Sequence, residues 1–83
     1  MKHDDFPSKP MMRRGEAARR ASEKWGVPLS PKTLAKYASV GGGPRFVRFG
    51  TGRRGLPLYG EDDFDDWIRS KLSRPVTSTS QLR

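Results

Sequence analysis

Three groups of residues in this sequence have types and spacings that could do chemistry. Gly50-Thr51-Gly52-Arg53-Arg54-Gly55 spells G-x-G-x-x-G, the pattern of a loop that cradles a pyrophosphate. Glu61, Asp62, Asp63, Asp65 and Asp66 crowd carboxylates together, and Asp62 and Asp66, four apart on a helix, could share a divalent cation. The third group is basic: from Lys9 to Arg54 the chain carries 12 Lys and Arg against Glu16 and Glu23, a balance of +10, which suits a polyanion.

The first two groups have simpler readings. A dinucleotide loop must open a helix inside a parallel βαβ unit, whereas Leu56-Pro57-Leu58 follows here and reads as a strand, with too little chain left for a parallel return. Acids in the first turn of a helix are stabilised by its dipole, so the carboxylates need no metal. His3 is the only histidine, cysteine is absent, and no serine stands in a recognisable nucleophile setting. The expectation is a protein that is not an enzyme and holds no cofactor and no metal.

The basic group survives this comparison. Gly60 to Leu72 carries five acids against Arg69 and Lys71, a balance of −3, so the charge is segregated and one side of a small domain should face a polyanion. A membrane surface would ask for a basic amphipathic helix with bulky apolar residues, but the basic stretch is broken by glycine clusters and prolines. No apolar run approaches a membrane span and MKHDDFPSKP lacks a signal-peptide core, so a soluble, cytoplasmic protein is expected.

The elements that position these cations can be read in order. Residues 1–11 show no period and read as a flexible arm, 12–72 as one domain, and 73–83 as a disordered tail. Ala17, Ala18, Ala21 and Trp25 give a helix from Arg14 to Trp25 one small apolar stripe, and Gly26 ends it. Ser30-Pro31 starts a second helix with Leu34, Tyr37 and Ala38 on one face, stopped by Gly41-Gly42-Gly43-Pro44. Arg45 to Phe49 and Leu56 to Tyr59 read as the strands of a hairpin with a glycine-rich basic tip. A third helix begins near Gly60 with Phe64, Trp67, Ile68 and Leu72 as its apolar stripe.

This α+β order, three helices and a two-stranded β-hairpin wing, is that of a small winged helix-turn-helix. Lys32, Thr33 and Lys36 then fall in the part of the second helix that would enter a major groove. Arg53 and Arg54 occupy the wing tip, and Arg13, Arg14, Arg19, Arg20, Arg45 and Arg48 stand where phosphate clamps would. The aromatic residues, Trp25, Phe46, Phe49, Tyr59, Phe64 and Trp67 among them, are expected in the core rather than as base-stacking platforms.

EAA in the first helix, SPKTLAKY as the second, GGPRFVRFG leading into the hairpin and LYGEDDFDDWI beyond it resemble the short winged helix-turn-helix proteins of the excisionase, AlpA and MerR-like class. The resemblance implies double-stranded DNA as partner, with Lys32, Thr33 and Lys36 at the bases and Arg53 and Arg54 on the wing. It further implies a recombination directionality factor that shapes DNA for an integrase, with side-by-side self-association on DNA, or a transcription regulator of the AlpA type. The wing is longer and richer in glycine than is usual in that class, and no coiled-coil heptads follow the third helix as in effector-binding MerR regulators. From a different class, an RNA-binding or protein-interaction module would also use a basic face.

Overall fold

The computed structural model describes residues 9–77, so most of the arm expected over 1–11, His3 included, and residues 78–83 of the expected tail lie outside the described residues. The elements run α1 (Arg14–Trp25), α2 (Pro31–Val40), β1 (Val47–Phe49), a 3-10 turn (Gly52–Arg54), β2 (Leu56–Leu58) and α3 (Glu61–Lys71). Three helices and one antiparallel two-stranded sheet make the small α+β, winged-helix-like domain expected from the sequence.

Each boundary has a local cause. At the start of α1 the Glu16 carboxylate accepts the Arg13 backbone amide at 2.8 Å, and Gly26, in the left-handed region at φ 69°, closes the helix. Ser30 Oγ accepts the Thr33 amide at 3.1 Å and Pro31 occupies the first turn of α2. Glu61, Asp62 and Asp63 open α3, and Arg69 and Lys71 close it, each sign placed at the favourable end of the helix dipole.

The core gathers Met12, the buried alanines of α1, Leu34, Tyr59, Phe64 and Ile68, with Trp25, Val27, Leu29, Phe46 and Trp67 packed around it. Alanine side chains let α1 lie close to its neighbours. At the other end of the core, Trp67 meets the Tyr37 ring edge-on at 5.4 Å and donates its indole N–H to the Gly42 carbonyl at 2.9 Å, tying α3 to the turn after α2. In that turn a β-carbon on Gly43 would stand 2.6 Å from Tyr37 Cβ. Gly43→Ala is therefore expected to destabilise the domain by about 1–3 kcal/mol through overpacking, read as a lower urea midpoint at unchanged slope.

The hairpin departs from expectation in two respects. Val47 pairs with Leu58, Arg48 with Pro57 and Phe49 with Leu56, but Tyr59 leaves that ladder to exchange two backbone hydrogen bonds of 2.7 Å with Met12. The strands are shorter than the sequence pattern suggests, because the chain entering α1 competes for the end of β2. The second departure is Phe49, expected in the core and exposed in the structure. Strand side chains alternate, and it is Phe46, in phase with Arg48, that packs on the core. Leu72 likewise leaves the apolar stripe, since α3 stops at Lys71.

Candidate nucleic-acid interface

Because an α-helix turns about 100° per residue, Lys32, Lys36 and Ser39 fall on one ridge of α2, opposite the buried Leu34, and all three are exposed. Thr33 sits on the flank toward Tyr37, and its hydroxyl lies 3.0 Å from Ser30 Oγ within the helix cap. The structure thus brings two of the three expected reading residues onto the outward ridge and gives Thr33 a part in starting the helix.

The opposite flank of α2 forms the floor of a cleft of about 430 Å³, lined by Ala35, Ala38 and Ser39, with Arg14 of α1 and Arg48 of β1 as its cationic walls. Two aromatic rings set those arginines. Arg14 Nε donates to the Tyr59 hydroxyl at 3.0 Å, and its guanidinium stands 6.0 Å from the Phe46 ring centre. Arg48 lies 5.2 Å from the same centre and donates to the Gly55 carbonyl at 3.3 Å. Phe46 and Tyr59 are themselves in contact, with centroids 5.6 Å apart. A guanidinium has five N–H donors, so Arg14 keeps donors for an oxyanion entering the cleft.

The charge around this cleft has one sign. The chain has no acid between Lys24 and Glu61, and every acid among the described residues belongs to α1 or α3. The unit of α2 and hairpin is therefore cationic throughout. Arg54 at the wing tip and Arg45 before β1 are exposed, and the backbone of Arg53 forms part of the 3-10 turn. Since that turn leads into β2, the G-x-G-x-x-G stretch opens no helix. Ala35 and Ser39 were not singled out by the sequence pattern, and Ala38 was expected only on the apolar face of α2; small residues at positions 35, 38 and 39 are the trace the cleft leaves.

The arginines of α1 diverge. Arg13 is exposed at the helix start, and Arg19 is exposed among Glu16, Glu23 and Glu61, away from the cleft. Arg20, expected as a phosphate clamp, is turned to α3, where Nε and Nη2 grip the two Asp65 oxygens at 2.9 and 2.8 Å. Lys24 Nζ at 2.8 Å and Trp25 Nε1 at 3.0 Å complete four donors around that carboxylate. Asp65 is only 6% exposed. The Arg20 hydrogen bonds hold its carboxyl well below the usual carboxylate range, outweighing the opposing effect of burial, with Lys24 and Trp25 adding to the shift. Lys9, expected in a free arm, lies 3.6 Å from Glu61 and 3.7 Å from Asp62.

Among the described residues no group of three or more metal-ligating side chains could hold an ion, and no helix is long and apolar enough to cross a membrane. No protein-family model matches this chain, and neither a curated protein nor a solved structure matches it.

Proposed function

We propose that this protein binds double-stranded DNA in a sequence-specific way, without catalysing a reaction, by laying α2 in a major groove while the wing follows the adjacent backbone. One observation carries the reading: Arg14 and Arg48 wall the cleft on one flank of α2 while Lys32 and Lys36 stand exposed on its outward ridge, with no acid between Lys24 and Glu61. A helix about 10–12 Å across fits a major groove about 12 Å wide, with Lys32 and Lys36 toward base edges and the arginines toward phosphates. The acids of α3 lie outside this face. The sequence resemblance favours an excisionase-like role, in which the protein shapes DNA for an integrase at the nucleoid. AlpA-type transcription control would use the same surface.

A salt titration tests the reading directly. If Arg13, Arg14, Arg45, Arg48 and Arg54 neutralise about five phosphates, log affinity for duplex DNA should fall against log salt with a slope of about −4 to −5. Absence of duplex affinity at low salt, or a preference for structured RNA over duplex, would overturn it.

A further inference from the structure

The wing carries its apolar residues on the wrong side for a core. Phe46 and Arg48 face inward, while Val47 and Phe49 face outward beside their cross-strand partners Leu58 and Leu56. Phe49 is 75% exposed, Val47 52% and Leu56 37%. Burial in this domain does not explain an aromatic ring held in water at the end of a strand.

The shape around the ring is unusual too. Phe49 is followed by Gly50, at φ 110°, and Leu56 is preceded by Gly55, where a β-carbon would stand 2.9 Å from Arg48 Cβ. A β-carbon on Gly50 would lie 3.5 Å from Gly55 Cα, so the two glycines face each other across the ribbon just beyond the Phe49–Leu56 pair. The result is a ribbon end bearing one large ring beside Leu56, with Arg54 exposed at the tip. Arg48, on the opposite face of the same strand, already lines the cationic cleft. Ring and cleft thus lie on the two faces of one acid-free ribbon, whose charge fits a polyanion rather than a purely apolar partner.

We propose that Phe49, backed by Leu56, is an apolar wedge that the wing presses into the DNA minor groove against a base step, while Arg54 meets the flanking phosphate, so that binding kinks the duplex. This rests on the DNA-binding reading above and adds to it a means of deforming DNA. A minor groove is about 6 Å wide and admits such a ribbon end only where side chains are few, which the two glycines provide. Apolar side chains that unstack a step kink DNA away from the groove they enter, and flexible pyrimidine–purine steps yield most readily. A preference for such a step at the wing position follows, without hydrogen bonds to its bases.

The test uses the full chain and a duplex recovered by selection in vitro, labelled at both ends for energy transfer. Wild type should shorten the end-to-end distance. Phe49→Ala should keep the thermal midpoint, since the ring is mostly in solvent, while affinity falls about tenfold, the bend is largely lost and the salt slope is unchanged. Phe49→Leu should retain part of the bend. If Phe49→Ala binds and bends as wild type does while Lys36→Ala weakens binding, the wedge is overturned, the DNA reading stands, and the patch belongs to a protein contact. If wild type binds duplex without bending it, the wedge is likewise overturned. If wild type has no affinity for any duplex, both readings fall together.

Discussion

Asp65→Ala is expected to cost the domain about 3–5 kcal/mol, while Asp66→Ala, one residue away, should cost at most about 0.5 kcal/mol. Asp65 is buried between α1 and α3 and accepts from Arg20, Lys24 and Trp25. Asp66 is largely in solvent and pairs with Arg69 across one turn. Removing the first leaves a partly buried guanidinium and an indole N–H without their shared acceptor, and takes the partner from a half-exposed ammonium. Removing the second leaves the Arg69 guanidinium in water, where it is solvated. For a domain this small the larger loss consumes most of the stability and lowers the thermal midpoint by more than about 10 °C, readable by circular dichroism. Similar midpoints for the two variants would refute the structural role given to Asp65.

The same carboxylate sets an acid limit. Its folded pKa is depressed, so its contribution is fully present above the unfolded value of about 3.9 and is lost as pH falls below that value toward the folded one. Stability should therefore decline from about pH 5 downward, and Asp65→Asn should flatten that decline while lowering the plateau at neutral pH. Urea midpoints measured across the acid range give both quantities.

Much of this architecture was legible because its boundaries are written in local chemistry. Ser30-Pro31 with Thr33, the glycine after Trp25, and the acids after Gly60 each satisfy or complement backbone groups within one turn, so α1, α2 and α3 begin and end where the pattern puts them. Asp65 was not legible in the same way. Five acids in six positions look alike in sequence; helical phase sets Glu61 and Asp65 beside the Phe64–Ile68 stripe toward α1, and of the two only Asp65 is buried, where an acid must find partners on another helix. Arg20 and Lys24, four apart beside the α1 alanines, were the complementary trace. The wing misled for another reason: alternation tells which residues share a strand face but not which face is inward. Arg48 is turned in because Phe46, one step outside the paired strand, is the ring that docks on Tyr59. A conflict between apolar pattern and burial of this kind tends to mark a working surface, and here it marks Phe49.

The second large effect belongs to the reading ridge. Lys36→Glu is expected to lower affinity for duplex DNA at low salt about 100-fold, which corresponds to about 2.7 kcal/mol. Arg19→Glu changes net charge by the same amount from a site away from the cleft, among Glu16, Glu23 and Glu61, and should lower affinity by no more than about threefold through the long-range field. Neither side chain is buried or has a hydrogen-bond partner among the described residues, so folding should not separate the two variants. The comparison isolates place from charge. A field spread evenly over a protein of net charge +8 would make the two substitutions equivalent, whereas a groove-reading ridge makes the difference large and mostly immune to the choice of probe length. The neutral change sharpens the same point: Lys36→Ala should remove about 1–3 kcal/mol of discrimination between the selected site and a variant of it, and Arg54→Ala should weaken both duplexes alike. Anisotropy titrations of the two duplexes with the four variants decide it, and equal losses for Lys36→Glu and Arg19→Glu would mean that α2 is not the element that reads DNA.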